Sequence, residues 1–235
     1  MPGGRARGHR ARPPDGVGEP VSPESPGLLI VFEGVEGAGK TTQQRRLAAR
    51  LEAAGASVRR VREPGGSPVG EAIRGLVLDP DLDPTPEAEL LLMLAARAEF
   101  VRRVVEPALE AGEVVLADRY ELSTFAYQGV ARGLGLERVR ELNAWATGGR
   151  RPDATLLLLV DGEEAVRRRA DGPTDRMERE DASFHAEVDR AYRRLAREEP
   201  GVLAIDGGGA PEEVADRIWA ALAERWPRRF PGGGA

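Results

Sequence analysis

Residues 28–42 read Leu28-Leu29-Ile30-Val31-Phe32-Glu33-Gly34-Val35-Glu36-Gly37-Ala38-Gly39-Lys40-Thr41-Thr42. The first five are apolar and suit a buried parallel strand, and the later part fits the pattern G-x-x-x-x-G-K-[ST]. Because this glycine-rich loop joins a predicted strand to a predicted helix, it indicates a cradle for the phosphates of a nucleotide. A glycine turn that only connects the two elements is the structural alternative.

Lys40 is the only lysine in the chain, whose lysine and arginine residues total 34. A planar guanidinium does not replace a compact ammonium in a tight phosphate cradle, so we predict that Lys40 reaches the β- and γ-phosphates. The Thr41 hydroxyl is expected to bind Mg²⁺. The predicted ATP-binding loop comprises Gly34, Val35, Glu36, Gly37, Ala38, Gly39, Lys40, Thr41 and Thr42.

The composition excludes several classes of function. Apolar residues make up 41% and charged residues 31% of 235 residues, which is typical of one globular domain with tails. A net charge of −5 argues against a general nucleic-acid binder, and no apolar run is long enough to span a bilayer. The absence of cysteine excludes disulfides and thiolate metal sites. The N-terminus lacks an apolar signal-peptide core, so we expect a cytoplasmic protein.

The chain divides into three parts by composition. Residues 1–26 are rich in Gly, Pro and Arg and are expected to be a disordered extension. Its arginines could contact an acidic partner, although a solvated tail is the plainer interpretation. Residues 27–226 form the P-loop domain, and residues 227–235 are expected to be a frayed C-terminal tail.

Strands and helices alternate between the tails. Strands are predicted at 28–32, 58–61, 114–117, 155–160 and 202–205, and helices at 41–54, 87–110 with a bend near Pro107, 163–169, 182–197 and 211–225. This order predicts an α/β protein of three layers, with a five-stranded parallel sheet and helices on both faces. Ligands of such folds lie beyond the carboxyl ends of the strands.

Asp118 follows an apolar strand at that edge of the sheet. A carboxylate in this position suits a Walker-B-like role near Mg²⁺ or its waters. A helix N-cap is the structural alternative.

Four further stretches carry a family resemblance: Glu63-Pro64-Gly65-Gly66, Asp118-Arg119-Tyr120, Ser123-Thr124-Phe125-Ala126-Tyr127-Gln128-Gly129 and Arg151-Pro152-Asp153. Together with the phosphate loop they resemble bacterial thymidylate kinase, from about Leu28 to Trp226. The resemblance implies a P-loop nucleoside-monophosphate-kinase-like fold. It also implies transfer of the γ-phosphoryl group of Mg²⁺·ATP to dTMP, giving dTDP on the route to dTTP for DNA synthesis. A homodimer is implied as well, and the apolar helix from Leu90 onward is either its interface or buried within one chain.

The resemblance assigns the acceptor phosphate to Arg119 and Arg74. It assigns Glu36 to the nucleoside 3′-hydroxyl, and Glu63 belongs to the substrate-binding set through its motif. Bidentate pairing of guanidinium with phosphate is a strong interaction, which supports the arginine roles. The alternatives are an exposed helix residue for Arg74 and a solvated loop acid for Glu36.

The resemblance assigns the base to Arg97, which would donate to a thymine carbonyl, and to Gln128, which would read the opposite edge. Thr124 lies one helical turn before Gln128, so both are expected to face one pocket. Tyr127 matches a tyrosine that crowds the 2′ position of the sugar, with core packing as its alternative.

Met93 departs from the family pattern, which has a phenylalanine that stacks on thymine. Methionine is adaptable but stacks in a less defined way, and Met93 could also be a core residue. This departure keeps open a kinase for another nucleoside monophosphate. A P-loop ATPase that acts on DNA is a more distant rival, and the acidic balance argues against it.

The resemblance implies a basic catalytic residue either in the phosphate loop or in a mobile lid after the fourth strand. Positions 36–38 of the loop carry none, so a lid is expected at about residues 170–180. Gly172 and Pro173 favour a flexible loop there. Arg176 is the predicted catalytic arginine that reaches the transferring phosphoryl group, and Arg168 and Arg169 are second choices. A solvated helix face is the alternative for these arginines.

Overall fold

The structure, a computed structural model, describes residues 26–168 and 175–230. The predictions for residues 1–25, for Arg169 and lid residues 170–174, and for residues 231–235 fall outside the described residues. The strands are β1 (Leu28–Glu33), β2 (Val58–Arg62), β3 (Val114–Asp118), β4 (Ala154–Leu159) and β5 (Val202–Asp206). The helices are α1 (Lys40–Ala53), α2 (Pro68–Leu78), α3 (Pro86–Phe100), α4 (Glu106–Glu110), α5 (Glu121–Thr124), α6 (Leu136–Thr147), α7 (Gly162–Arg168), α8 (Ala182–Glu198) and α9 (Pro211–Arg225).

The five strands form one parallel sheet in the order β2-β3-β1-β4-β5, as predicted. In the register, Leu28 of β1 lies opposite Val114 of β3, and Ile30 lies opposite Ala154 of β4. The chain therefore leaves β1 toward one side of the sheet and later returns to its other side. The crevice at such a reversal is the usual ligand site of an open parallel sheet.

Both faces of the sheet are covered, which confirms the three-layer prediction. Leu28, Ile30 and Phe32 of β1 share one buried cluster with residues of α1 and α9. Leu29 and Val31 pack on the other face against α3 and α4. Successive side chains of a strand point to opposite faces, so a fully apolar strand fits a sheet that is buried on both sides.

The long helix predicted for 87–110 is interrupted. A π-helical segment at Val101–Val105 separates α3 from α4, and Pro107 lies in the first turn of α4. Proline has no backbone N–H to donate to the preceding turn, so a wider turn just before it accommodates the missing bond. The irregularity therefore precedes Pro107.

A second π-helical segment, Phe125–Ala131, continues α5 without a break. Helices α2, α5 and α6 were not among the predicted elements. The start of α2 carries clear signals, because the Ser67 hydroxyl caps it by accepting from the Gly70 N–H at 3.0 Å and Pro68 is its first residue.

The prediction of a frayed tail from residue 227 onward is wrong for its first part. Phe230 is only 1% exposed, and its ring centroid lies 5.3 Å from that of Trp219 and 6.1 Å from that of Trp226. Burying an aromatic ring against two others offsets the cost of ordering the chain. The ordered domain therefore extends to Phe230.

Within residues 26–168 and 175–230, no helix combines the length and apolar character needed to cross a membrane.

Candidate active site

The phosphate loop owes its shape to two glycines in the left-handed region. Gly37 has φ 76°, and a Cβ there would lie 2.1 Å from the carbonyl oxygen of Ala165 in α7. Gly39 has φ 91° and precedes the first residue of α1. A side chain at position 37 would clash with Ala165, and one at position 39 would be disfavoured by the left-handed backbone. The N-terminus of α1 therefore opens directly onto the crevice, where its N–H groups suit an anion.

Lys40 points back into this loop. Its Nζ donates to the carbonyl oxygens of Gly34 at 3.0 Å and Val35 at 2.9 Å, and the residue is only 9% exposed. Burial and, to a lesser extent, the positive charge of Arg119 lower the pKa of Lys40 from 10.5 to about 7, although Asp118, Glu33 and Glu36 oppose the shift. A phosphate group beside the amine would oppose both effects. The charged form of the Lys40 amine would therefore be stabilised by a polyanion bound in the loop.

This pKa predicts how stability changes with pH. The folded pKa of Lys40 lies below the unfolded value, so the unfolded chain binds more protons between pH 7 and pH 10.5. The free energy of unfolding of the native protein should therefore rise with pH in this window, relative to that of Lys40→Met, by up to about 1.4 kcal/mol per pH unit. Urea denaturation of both proteins at pH 7, 8, 9 and 10 measures the difference. A difference that stays flat or falls contradicts the prediction.

The two predicted metal-binding residues meet at the base of the crevice. Thr41 Oγ1 donates to Asp118 Oδ2 at 2.8 Å. Asp118 ends β3 and is not a helix cap, because α5 begins only at Glu121. A hydroxyl and a carboxylate oxygen beside a phosphate loop are the ligand types that Mg²⁺ prefers, so these two residues fit that ion.

Arg119 adopts a backbone conformation that is uncommon for its residue type. Its φ is 73°, and its backbone N–H donates to the Phe32 carbonyl at 2.9 Å. The guanidinium Nη1 donates to Ser123 Oγ at 3.0 Å and to the Tyr192 hydroxyl at 3.1 Å. Left-handed backbone at a non-glycine residue costs on the order of 1–3 kcal/mol and often marks a functional position. Here it turns the arginine toward the crevice.

Glu33 holds this arrangement in place and was not among the predicted site residues. It is fully buried at the end of β1, and its carboxylate accepts from the backbone N–H groups of Tyr120 at 2.8 Å and Ser123 at 3.0 Å. The Ser123 and Tyr192 hydroxyls also donate to it, at 2.5 Å and 3.0 Å. An acidic residue that ends an otherwise apolar strand was the available signal.

A cavity of about 500 Å³ lies along the carboxyl edge of the sheet beside the phosphate loop. This volume is within the range of small-molecule sites. The cavity brings together ten of the predicted site residues: Glu36, Lys40, Thr41, Glu63, Arg74, Met93, Asp118, Arg119, Tyr127 and Gln128.

The wall near β2 is positively charged. Arg74 is half-buried and its Nη1 donates to the Pro64 carbonyl at 3.0 Å, so it is not the exposed helix residue of the alternative interpretation. Arg60 and Arg62 of β2 also line the cavity. Burial and the neighbouring Arg62 lower the pKa of Arg74. Glu36 lines the same cavity and is half-buried, unlike a fully solvated loop acid.

Three buried polar atoms without a hydrogen-bond partner belong to residues of the cavity wall. They are Glu63 Oε1, Gln128 Oε1 and His185 Nε2, out of four such side-chain atoms in the described part of the chain. An unpaired buried polar group costs about 1–3 kcal/mol, so this wall is suited to a polar ligand. Burial raises the pKa of Glu63 to about 7, although Arg97 opposes the shift.

Met93 and Tyr127 have two kinds of contact each. Met93 lines the cavity and also packs against the small cluster of Ile73, Val77 and Ala96. Tyr127 lines the cavity while its ring meets that of Phe184 edge-on, at a centroid distance of 6.0 Å. The ligand-facing and core-packing interpretations are therefore compatible at both positions.

Comparison with known proteins identifies the family. The family model described as thymidylate kinase matches residues 32–218. The chain belongs to the thymidylate kinase family. The resemblance inferred from the sequence is thereby confirmed, and the chain is an enzyme of the nucleoside monophosphate kinase class. The rival interpretations, a kinase for another nucleoside monophosphate and a DNA-acting ATPase, are not favoured.

Individual relatives cover nearly the same region. The thymidylate kinase of Deinococcus radiodurans is 48% identical over 203 residues, which is 86% of this chain and 98% of the relative. That of a Synechococcus species is 49% identical over 199 residues, or 84% of this chain and 96% of the relative. The crystal structure of thymidylate kinase from Ehrlichia chaffeensis matches with a TM-score of 0.69 at 27% identity, covering 84% of this chain and 99% of that one.

Two residues expected in the thymidylate kinase base pocket lie behind the cavity wall. Arg97 is 3% exposed, and it donates to Glu63 Oε2 at 2.8 Å, Thr124 Oγ1 at 3.0 Å and Asn143 Oδ1 at 2.9 Å. Thr124 is 1% exposed. Thr124 is not among the residues that line the cavity, whereas Gln128, four residues later, is. The base-reading roles of Arg97 and Thr124 stay predictions.

The structure does not bring Arg176 to the phosphate loop. Its side chain is buried, with Nε donating to the Val77 carbonyl at 2.9 Å and Nη2 to the Glu89 carboxylate. Arg168 Nη1 instead donates to the Gly207 carbonyl in the loop after β5, at 2.8 Å. A catalytic role for Arg176 in this family member therefore requires its side chain to leave Val77 and Glu89.

Proposed function

We propose that this chain transfers the γ-phosphoryl group of ATP to the 5′-phosphate of dTMP, giving dTDP, with Mg²⁺ as the cofactor. One observation carries the proposal. The phosphate loop with Lys40 and the Thr41–Asp118 pair opens onto a cavity whose wall also includes Gln128 and Glu63, and each of these two residues has a buried acceptor atom without a partner. One end of the cavity thus suits phosphate groups, and the other suits the edge of a base.

The chemistry of this reaction is mainly positioning and charge neutralisation. Two highly charged anions must approach each other, and the acceptor phosphate is already ionised, so no strong general base is needed. Lys40 would stabilise the donor phosphates, and Arg119 and Arg74 would orient the acceptor phosphate. Mg²⁺, held by Thr41 and Asp118, would neutralise charge on the phosphates.

A second cavity supports the placement of the donor nucleoside. It measures about 360 Å³ at the carboxyl ends of β4 and β5, and its wall includes Asp161, Arg193 and Asp206. It lies on the side of β1 opposite to β2 and β3. The loop after β5 approaches the phosphate loop, since a Cβ on Gly207 would lie 3.6 Å from the Ala38 carbonyl oxygen. The nucleoside of ATP would therefore extend toward this cavity.

A coupled assay for ADP release from ATP tests the proposal, with dTMP, dUMP, UMP and dCMP as acceptors. We expect the highest kcat/KM with dTMP. A clear preference for another acceptor would replace dTMP in the proposal. ATP consumption that does not respond to any of the four would instead support an ATPase.

The lid arginine is tested by Arg176→Ala. We expect kcat to fall by about 10²-fold with a smaller change in KM for dTMP, because the contact should form mainly in the transition state. Steady-state kinetics measure kcat and KM for dTMP in this variant and in Arg168→Ala, which changes an arginine on the other side of the lid. An unchanged kcat for Arg176→Ala would move the role to Arg168 or Arg169.

A homodimer is part of the same proposal. Leu90 and Leu94 of the candidate interface helix are buried within the chain, whereas Leu91 is 60% exposed. Trp145 on the neighbouring helix α6 is 84% exposed. Large apolar side chains exposed on two packed helices support an interface there. A cytoplasmic location, with no nucleic-acid or membrane partner, stays a prediction.

A further inference from the structure

Glu89 is a buried carboxylate that belongs neither to the cavity wall nor to the predicted site. It lies in the first turn of α3 and has no exposed surface. Its Oε1 accepts from Gln128 Nε2 at 2.7 Å. Its Oε2 accepts from Arg132 Nη2 at 3.2 Å and from Arg176 Nη2. One carboxylate thus joins α3, the π-helical segment of the cavity wall and Arg176 of the expected lid region.

Glu89 is held in its ionised form. Burial alone would raise the pKa of this carboxyl group, but the hydrogen bonds from Gln128, Arg176 and Arg132 outweigh burial and lower it. An ionised carboxylate accepts hydrogen bonds and cannot donate them. Gln128 must therefore turn its NH₂ group toward Glu89.

The orientation of the Gln128 amide decides what the cavity can read. With Nε2 committed to Glu89, the carbonyl Oε1 is the atom left for a ligand, and it has no partner within the described residues. A fixed acceptor pairs with the ring N3–H of thymine or uracil. The unprotonated N3 of cytosine has only a lone pair, so two acceptors would face each other.

We infer that Glu89 is a positioning residue for base specificity: by fixing the Gln128 amide, it selects acceptor nucleotides with a ring N–H over cytidine nucleotides. The inference rests on the proposed function, since it names how the same cavity discriminates among acceptors. A site built around a hydrogen bond to the substrate rejects analogues that lack the matching group more strongly than shape alone does.

Glu89→Gln tests the inference because the neutral amide keeps the shape of the side chain but can donate as well as accept. Gln128 can then turn its NH₂ group to the cavity. We expect the ratio of kcat/KM for dTMP to that for dCMP to fall by at least about 10-fold, mainly through KM. The ratio for dTMP to dUMP should stay constant, because both bases carry N3–H.

Glu180→Gln is the matched control. Glu180 also pairs with Arg132, and it has no hydrogen bond to Gln128 among those of the described residues. Its removal perturbs the same arginine, and the dTMP to dCMP ratio should remain that of the native protein.

The double variant of Glu89→Gln with Gln128→Ala separates positioning from a structural role. If Glu89 acts through Gln128, adding Glu89→Gln to Gln128→Ala changes the dTMP to dCMP ratio no further. Equal losses with all acceptors in Glu89→Gln, or a further change of the ratio in the double variant, would overturn the inference while dTMP kinase activity itself stands. A native protein inactive on dTMP would overturn the proposed function and this inference with it.

Discussion

Replacing Lys40 with alanine is expected to lower kcat for dTMP phosphorylation by about 10³- to 10⁴-fold. A single neutral donor to a developing charge contributes about 10²–10³-fold, and a full ammonium in a low-dielectric loop exceeds that. Among residues 26–168 and 175–230, the Lys40 amine donates to the Gly34 and Val35 carbonyls alone, so we expect its loss to leave the sheet and the core intact. The folded protein should therefore survive the change.

Steady-state kinetics with thermal unfolding of the same samples measure both halves of this expectation. Arg46→Ala is the matched control, because Arg46 lies on the same helix but pairs with Glu212 on the surface, at 2.5 Å. It should retain near-native kcat. A Lys40→Ala protein that is folded and still active within 10-fold of the native rate, roughly 1.4 kcal/mol, would remove the amine from the reaction.

Replacing Arg119 with lysine is expected to lower kcat/KM for dTMP by roughly 10³-fold. Lysine keeps the charge but loses the planar fork that pairs with phosphate through two parallel bonds. It also cannot hold the contacts to Ser123 and Tyr192 while reaching the cavity. The substitution leaves the backbone cost of φ 73° in place, so the comparison isolates the side chain.

Arg59→Lys supplies the comparison for Arg119→Lys. Arg59 makes a two-bond pair with Glu113 at 2.7 Å and 2.8 Å on the outer side of β2, away from the cavity. Its exposed pair contributes little, so kcat/KM should stay within about twofold. Similar losses in the two variants would show that Arg119 has no special contact with the acceptor phosphate.

The sequence was sufficient to predict the sheet and most helices because their signals are local. Four of the five predicted strands are mostly apolar runs, the exception being β2 with Arg59 and Arg60, and each lies within one residue of an observed strand at both ends. Helix α2 was missed although Ser67 and Pro68 mark its start, so that miss was avoidable. The two π-helical segments were not predictable, because five-residue turns depend on tertiary packing and have no pattern of their own.

The residues of the site can be divided in the same way, into those that local sequence patterns predict and those that they do not. Asp118 ends β3, and Lys40 and Thr41 begin α1 directly after the phosphate loop, so the order of strand, loop and helix is enough to bring them to one crevice. The Glu89 carboxylate is hydrogen-bonded to Gln128, 39 positions away in the sequence, and to Arg176, 87 positions away. No local sequence pattern predicts contacts at such separations. Phe230 is a similar case, since its order depends on contacts with the rings of Trp219 and Trp226.

The solitary amine in the phosphate loop also makes this protein easy to interrogate chemically. Every other long cationic side chain is a guanidinium, so acylating or aldehyde reagents have one side-chain target, Lys40. A pKa near neutrality leaves a sizeable fraction of that amine unprotonated and nucleophilic at pH 7 to 8. The extent of covalent labelling, followed by mass spectrometry, would report nucleotide occupancy of the loop without any engineered tag.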